Sequence, residues 1–266
     1  MRRRAGTFAL LGIGAAATIA LLTVALPRRG VWFNGDFETG GLDGWAWDIA
    51  RRDSAEVVTE PVRKGRYAVR ITLAPGDRAA SKERAELKIA DKTLERAHGH
   101  QGHDIWYGWS LFIPNEYADP PAGHWQILGQ WHHRPIQYAQ GERPRLIGPP
   151  PLAVYLASHQ GRDHLLLIGQ KSPKAPPRRL GMRPVSRGNW IDLVFHIRCS
   201  TGSNGFVEAW LDGRPFTEGK MAGPTLYSPD SNYLRLGLYR PKGVQTTNHV
   251  FYDEVRIGES YRAVAP

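Results

Sequence analysis

Polar and apolar residues alternate along several short runs of the chain, which is the pattern of β-strands whose two faces meet different surroundings. The clearest run is 233–239, in which Leu234, Leu236 and Leu238 alternate with tyrosine, arginine and glycine. Its leucines are expected to enter a core, and its tyrosines and arginine to line the opposite face. Ten such runs are predicted as strands, at 66–73, 84–90, 105–113, 125–133, 152–158, 164–170, 190–199, 206–211, 233–239 and 250–257.

Glycine, proline, asparagine and aspartate bound these runs, and no helix of ten or more residues is predicted after residue 30. Many short strands without helices between them favour an all-β fold, a two-sheet antiparallel β-jelly roll of the concanavalin-like sandwich type. The stretches 134–151 and 171–188 lack the alternation and are rich in proline, glycine and basic residues. Both are expected to be long loops, either for binding or as solvated surface.

The amino terminus has a different pattern from the rest of the chain. Arginines at positions 2–4 precede an uncharged run at 8–26, which is rich in alanine and leucine. This is the pattern of a secretory signal peptide or of an uncleaved membrane anchor. We therefore expect residues 1–30 to direct export to the periplasm, the cell surface or the medium, and 31–266 to form one β domain. Membrane contact is expected only through the amino-terminal segment, where it stays attached.

Charge narrows the choice of partner. Lysine and arginine number 35 against 25 aspartates and glutamates, so the formal net charge is +10. A basic exported protein suits an anionic partner such as a polyuronate or a sulfated glycan, and export argues against nucleic acid. Cys199 is the single cysteine, which excludes an intrachain disulfide. A monomer is expected.

Candidate chemistry lies on the polar faces of three predicted strands, where side chains at i and i+2 share a side. The faces consist of Arg84, Glu86 and Lys88 on the first strand, His124, Gln126, Gln130 and His132 on the second, and Tyr233, Arg235 and Tyr239 on the third. On the second strand Trp125, Ile127 and Trp131 are expected to point the other way. Gly237 is expected to leave room for a ligand. Arginine, glutamine, histidine and tyrosine are unusual choices for faces that are merely solvated.

Three strings carry a family resemblance, in this order: RAEL (84–87), ILGQWH (127–132) and YLRLGLY (233–239). They resemble the motif strands of jelly-roll polysaccharide lyases, a group that includes alginate lyases, glucuronan lyases and heparinase-I-like enzymes. The chain is most similar to the bacterial heparin-lyase-I-like family. The supporting strings GDFETG, WYGWSLFIP, GFVEAWLDG and VFYDEVRIG extend the resemblance over nearly the whole chain after residue 30.

The resemblance implies β-elimination on a uronic-acid-containing polysaccharide, a chemistry that requires no cofactor. Arg84 and Gln130 would neutralise the substrate carboxylate, His132 would take the C5 proton, and Tyr239 would protonate the leaving O4. The expected substrate-binding residues are Arg235, Tyr233, Lys88, Glu86 and Gln126. Arginine at 235 departs from the lysine that alginate lyases usually have, which weakens the case for alginate in particular.

Two other functions compete with this hypothesis. A non-catalytic carbohydrate-binding module on the same sandwich needs only a groove with aromatic platforms, whereas a lyase needs His132 and Tyr239 to converge on one sugar ring. A glycoside hydrolase needs two opposed carboxylates. Glu86 and Glu208 are candidates for that pair, but they stand in no recognisable motif.

Metal binding is a separate question. Resemblance to calcium-binding jelly rolls suggests that Asp36, Glu38 and Asp253 hold a structural Ca²⁺, and turn or cap carboxylates are the competing interpretation. Histidines at 103, 124, 132 and 133 lack the spacing of a zinc site.

Overall fold

The computed structural model of the protein describes residues 29–89, 92–119, 125–135, 148–159 and 162–266. Nearly all of the predicted export segment, His124 and most of 134–151 lie outside these residues. In chain order the strands are β1 (Val31–Gly35), β2 (Ala46–Asp48), β3 (Ala55–Val58), β4 (Ala68–Leu73), β5 (Glu83–Lys88), β6 (Asp104–Phe112), β7 (Gln126–His133), β8 (Leu152–His159), β9 (Arg162–Gly169), β10 (Arg178–Pro184), β11 (Trp190–Arg198), β12 (Phe206–Leu211), β13 (Arg214–Pro215), β14 (Met221–Ala222), β15 (Asn232–Arg240) and β16 (Asn248–Gly258).

Helices are short in the described part of the chain. They are α1 (Tyr261–Val264) and two 3₁₀ segments, Arg52–Ser54 and Lys92–Ala97. None of the helices in the described ranges has the length and apolar character that crossing a bilayer requires.

The strands form two antiparallel sheets. Sheet I has the order β13-β12-β11-β6-β16-β4-β3, with β1 paired to β16 and β14 paired to β12. Sheet II has the order β10-β9-β8-β7-β15-β5-β2. The predicted all-β, two-sheet jelly roll is confirmed, and each of the ten predicted strands is present to within two residues at either end.

Six strands were not predicted, and they share a weak local pattern. Four of them have two to four residues, too few for alternation to be visible. The stretch 171–188 was predicted as an irregular loop, which is wrong for β10. That strand carries three arginines and a terminal proline, and it forms because it completes the edge of sheet II against β9.

The core lies between the two sheets. The three leucines of β15 are buried there as predicted. Trp131 of β7 reaches across to sheet I, where its ring centroid lies 5.8 Å from that of Trp109 and 4.8 Å from that of Phe195. Burial of such rings removes large apolar surfaces from water and holds the two sheets face to face.

A β-bulge in β7 decides which of its side chains reach the outer face of sheet II. Ile127 pairs with Tyr155 and Gly129 pairs with Val154, so Leu128 is one residue more than β8 has opposite it. An extra residue reverses the alternation of the strand on one side of the bulge. The side chain of Leu128 itself enters the core.

The bulge overturns three predicted orientations. Gln126 lies opposite the core residue Leu156 and is buried, so it does not share a face with the other predicted site residues. Ile127 lies opposite Tyr239 instead of facing the core. Trp125 contacts the Tyr239 ring edge to face, with 4.9 Å between ring centroids. Strict alternation counted along the sequence cannot detect an inserted residue, which explains the error.

Gly237 has a different role from the predicted one. Its φ is +148°, and a Cβ at this position would lie 2.2 Å from the carbonyl oxygen of Ala85. Glycine is therefore required by the backbone and by the neighbouring strand, not by a ligand. The hydroxyl of Tyr252 in sheet I faces the carbonyl oxygens of Leu128 and Gly237, so the other sheet supports this irregular part of β7 and β15.

Candidate active site

Three neighbouring strands of sheet II carry the predicted polar residues. β15 lies between β5 and β7, and the register places the residues opposite one another. The opposed pairs are Tyr239 with Arg84, Arg235 with Lys88, Arg235 with Gln130, and Tyr233 with His132. Opposed residues of antiparallel strands have their Cβ atoms about 5 Å apart on one face. The structure therefore brings these residues together, with Gln126 as the exception.

Glu86 is the carboxylate that joins the three strands. Its side chain is buried, its Oε1 accepts a hydrogen bond from Gln130 Nε2, and its Oε2 lies 3.2 Å from an Nη1 of both Arg84 and Arg235. One carboxylate thus orients two guanidinium groups and an amide. Glu86 was predicted to bind substrate, and in the structure its contacts are with the donors Arg84, Arg235 and Gln130.

Asp48 of the edge strand β2 is a second carboxylate in this cluster. Its Oδ2 accepts a hydrogen bond from Arg235 Nη1 at 2.7 Å, and its Oδ1 accepts one from Lys88 Nζ at 2.6 Å. Burial tends to raise the pKa of Asp48, but the bonds and charges of Lys88 and Arg235 outweigh burial and lower it. Asp48 is therefore ionised at neutral pH.

Cations outnumber carboxylates in the cluster. Arg84, Lys88 and Arg235 face Glu86 and Asp48, so three positive charges meet two negative ones. Burial opposes the charge of Arg235, yet its anionic neighbours raise its pKa above the ordinary value. The surplus of one positive charge suits the carboxylate of a single sugar residue.

Tyr239 lies at one end of the cluster and is partly exposed. The guanidinium carbon of Arg84 lies 4.2 Å from the centre of its ring. Trp125, which is exposed, lies against the ring edge to face. The phenol is thus flanked by a cation and an aromatic wall.

His132 and Tyr233 occupy the other end. Their ring centroids lie 5.9 Å apart, and the Tyr233 hydroxyl accepts a hydrogen bond from Arg235 Nη2 at 2.8 Å. His132 Nδ1 lies 2.8 Å from the His133 carbonyl oxygen, which can only accept, so Nδ1 carries the proton and Nε2 has the lone pair. Burial, followed by the charge of Arg235, lowers the pKa of His132 to about 3. The imidazole is neutral at neutral pH.

The structure separates the two residues that were predicted to act on one sugar ring. His132 lies opposite Tyr233, and Tyr239 follows Tyr233 by six residues along β15. At about 3.3 Å per residue, the Cα atoms of these two tyrosines are up to ~20 Å apart. Arg84, Glu86 and Arg235 fill the interval as a chain of contacts. Tyr233 is consequently the tyrosine nearer to the histidine.

Several donor and acceptor atoms of the cluster have no protein partner. Among the residues that the structure describes, Arg84 Nε, Arg235 Nε and Gln130 Oε1 are buried without a hydrogen-bond partner. Buried polar groups are normally paired, and each exception requires an explanation. The cluster therefore keeps hydrogen-bonding capacity that the described residues leave unused.

The predicted calcium ligands are engaged elsewhere. Glu38 accepts the backbone N–H groups of Arg66 and Tyr67, and Asp253 accepts those of Arg63, Lys64 and Glu254. Asp36 accepts from the side chain of Asn34 and the backbone of Glu38. The carboxylate oxygens of these three residues, all in the described ranges, do not form a group within 4.8 Å of one another. Calcium binding by them stays a prediction.

Two residues of the site were not predicted from the sequence. Asp48 lies in a three-residue strand that gives no periodic signal, although a carboxylate was to be expected beside so many cations. Trp125 was placed in the core because the bulge was unseen. Its orientation depends on the pairing of β7 with β8, for which the sequence of β7 carries no signal.

Solved structures similar to this chain share its fold. An endo-β-1,4-glucuronan lyase from the fungus Trichoderma reesei has a TM-score of 0.63 at 21% identity, over 90% of this chain and 98% of that one. The catalytic domain of a glycoside hydrolase family 131 protein from Coprinopsis cinerea has a TM-score of 0.60 at 13% identity, over 89% and 98%. An alginate lyase from Pseudomonas aeruginosa has a TM-score of 0.52 at 14% identity, over 81% and 98%. At these identities the likeness shows the jelly roll alone.

The family is shown by sequence. No curated protein matches the chain significantly. The predicted membership of the heparin-lyase-I-like family is not confirmed. A family model described as polysaccharide lyase matches residues 37–256, which include every residue of the site. The chain therefore belongs to this family and is a polysaccharide lyase.

Proposed function

We propose that the protein cleaves a uronic-acid-containing polysaccharide by β-elimination. The observation that carries this proposal is the cluster on sheet II. Two arginines and a glutamine are tied to one buried carboxylate, between a neutral histidine and two tyrosines. Family membership supplies the reaction class, and the cluster supplies the groups that this reaction needs.

Elimination removes the C5 proton of a uronate and expels the oxygen on C4. The electron pair of the C5–H bond becomes the C4=C5 double bond, and the C4–O4 bond breaks. The C5 proton is weakly acidic while the neighbouring carboxylate keeps its full charge. Arg84 and Arg235 would bind that carboxylate and stabilise the enolate-like transition state, since guanidinium groups hold carboxylates in a fixed geometry.

His132 is the proposed base. Its neutral imidazole has a lone pair on Nε2. Burial is the first cause of its lowered pKa and the charge of Arg235 the second, and a bound uronate would offset that charge. A tyrosine is the proposed acid that protonates O4 as it leaves. Tyr239 was predicted for this role, but it lies six residues along β15 from the tyrosine that pairs with His132, too far to act on the same sugar ring as this base. Tyr233 fits the role better, because its ring lies beside His132 and its hydroxyl is bonded to Arg235.

The proposal places the enzyme outside the cytoplasm, on the strength of the export pattern at 1–30. The names of two similar structures give glucuronan and alginate as substrates of those proteins. Those two polymers are therefore the first substrates to try, and heparin, heparan sulfate, hyaluronan and chondroitin complete the panel.

The test is ultraviolet absorbance of the unsaturated uronate that elimination leaves behind. We expect absorbance to rise with at least one polymer of the panel. Reducing ends that increase without this absorbance would indicate hydrolysis, and binding without either signal would indicate a carbohydrate-binding module. Both results would overturn the proposal.

Matched tyrosine variants identify the acid. Removal of the proton donor should lower kcat by at least about 10²-fold. We expect this loss in either Tyr239→Phe or Tyr233→Phe, and no loss in Tyr261→Phe, which changes an exposed tyrosine on α1. Full activity of both cleft variants would exclude tyrosine as the acid.

A further inference from the structure

A second cluster of chemically active side chains lies in the segment between β5 and β6. In the described part of the chain, the group of three metal-ligating residues whose donor atoms all lie within 4.8 Å of one another is Glu95, His98 and His100. None of the three was predicted as a site residue, and none belongs to the cluster of polar residues on sheet II. Their E-x-x-H-x-H spacing concentrates one carboxylate and two imidazoles within six residues.

The tautomer of His98 leaves Nδ1 able to bind a metal ion. The side chain is fully buried, and its Nε2 lies 3.0 Å from the carbonyl oxygen of Ile89. A carbonyl only accepts, so Nε2 carries the proton and the lone pair is on Nδ1. Histidines that bind metals usually donate their other ring N–H to a carbonyl or carboxylate in this way.

Glu95 lies between the two imidazoles. Its Oε2 is 3.8 Å from His98 Nδ1, and its Oε1 is 2.8 Å from His100 Nε2. Despite this short distance, His100 Nε2 is a buried nitrogen without a properly aligned hydrogen bond. His100 Nε2 and Glu95 Oε1 are therefore close but not hydrogen-bonded, an arrangement that allows both atoms to bind one metal ion. Glu95 is largely exposed, so an ion could enter and keep a water ligand.

Arg134 occupies the position opposite the ligand atom of His98. Its Nη2 lies 3.0 Å from His98 Nδ1, while its Nε donates to Ser231 Oγ at 2.9 Å. A metal ion on Nδ1 would have to displace this Nη2, and the bond to Ser231 would keep the rest of the side chain in place. Arg134 also lies 5.7 Å from the ring centre of Tyr233, so the cluster adjoins one end of the lyase site.

We propose that Glu95, His98 and His100 form a binding site for one zinc-type divalent cation. One carboxylate oxygen, two imidazole nitrogens and a water satisfy the tetrahedral preference of Zn²⁺, whereas Ca²⁺ prefers six to eight oxygen ligands. The positive charge on Arg134 stands where the ion would bind. Zinc binding and the Arg134–His98 contact are therefore mutually exclusive.

The test is titration of the metal-free, full-length protein with ZnCl₂ by calorimetry, with bound zinc counted by elemental analysis. We expect about one equivalent of zinc, and affinity at least about tenfold lower in His100→Gln and in Glu95→Gln. Both residues are partly exposed, so these variants should fold, which thermal unfolding checks. His249→Gln is the matched control, since His249 pairs with Glu116 at 3.3 Å and has no third ligand in the described residues.

Arg134→Ala separates the proposed site from adventitious binding. Removal of the competing cation should tighten zinc binding, because Nδ1 of His98 is then unoccupied. Absence of bound zinc, equal affinity in all variants, or competition by equimolar CaCl₂ would overturn the proposal. Unchanged zinc affinity in Arg134→Ala would show that the ion does not use His98 Nδ1.

Discussion

Glu86 shows how one buried side chain sets the geometry of several others. A guanidinium group or an amide alone on a strand can adopt many rotamers, whereas Arg84, Arg235 and Gln130 all meet the same carboxylate. Their orientation is thus fixed before a substrate binds. Preorganised donors of this kind stabilise a developing charge without reorganising during the reaction.

Glu86→Gln should reduce both activity and stability. The neutral amide cannot balance two arginines, so we expect kcat to fall by about 10²-fold or more and the free energy of unfolding to fall by about 3 kcal/mol. Glu83→Gln is the matched control, because Glu83 forms an equally buried pair with Arg240 at 2.7 Å. It should lose similar stability and retain kcat. Equal losses of kcat in both variants would contradict a positioning role for Glu86.

His132 should make the folded protein sensitive to acid. Its pKa is about 3 in the folded chain and about 6.5 when unfolded. Between these values the unfolded chain binds a proton that the folded chain does not, so stability falls as the pH is lowered from 6.5 towards 3. His132→Gln should remove about 2 kcal/mol of the loss between pH 7 and pH 4.5, as measured by urea unfolding. His249→Gln, which changes a partly buried histidine of sheet I, is the control variant.

At the scale of elements, the side-chain orientations in β7 and β15 depend on a backbone irregularity that a regular alternation of faces would not produce. The bulge at Leu128 and the positive φ of Gly237 lie beside each other, and Tyr252 of the opposite sheet faces both. Together they turn Ile127 towards Tyr239. The irregular backbone therefore places Ile127 and Trp125 beside Tyr239.

Gly237→Ala should disrupt this geometry. The new Cβ would collide with the Ala85 carbonyl, and the φ of +148° is strained for any L side chain. We expect several kcal/mol of destabilisation, at least about 3, and loss of activity beyond what stability explains. Gly202→Ala is the control, since its Cβ would meet no atom closer than 3.4 Å. Equal unfolding midpoints of both variants in urea would refute the argument.

Trp125→Ala tests the corrected orientation of that side chain. If Trp125 forms a wall beside Tyr239, its removal should raise KM for the polymer about tenfold or more and leave the fold intact. Trp47→Ala removes a more exposed tryptophan, opposite the core residue Leu87, and should leave KM unchanged. Similar KM values for the two variants would mean that Trp125 does not contact substrate.

The sequence predicted the regular parts of the molecule well, for a physical reason. In the runs that became β5 and β15, one face is core and the other is polar, so period-two alternation is visible and Arg84, Arg235 and Tyr239 were placed correctly. Gln126 and Trp125 were misplaced because a bulge depends on pairing with β8, which is not local information. Asp48 was missed because a three-residue edge strand exists only through its partner β5.

At the scale of the whole molecule, the chain has a larger positive charge than the site itself. The formal net charge of the chain is +10. A long-range field of this sign steers a polyanion towards the protein, and salt screens it over a Debye length of about 10 Å at 0.1 M.

Salt should therefore weaken binding of the polymer, measured by KM, more than it slows the chemical step, measured by kcat. We expect KM for a polyuronate to rise severalfold, by about 3-fold or more, between 0.05 and 0.5 M NaCl, while kcat changes little. Steady-state kinetics with a polymer substrate measure this effect. A kcat that falls in parallel with kcat/KM would show that salt acts on the site itself.

The bulge in β7 also has a consequence for variation of the enzyme. Whether a side chain of this strand faces the site or the core is a question of odd or even position, and Leu128 is the residue that changes the count. Loss of the single codon for Ile127, with the bulge kept at Leu128, would place Gln126 opposite Tyr155 and turn Trp125 towards the core, so that Gln126 replaces both side chains beside Tyr239. One-residue deletions and insertions at this point are thus a route by which a jelly-roll lyase could acquire a new sugar preference in one genetic step.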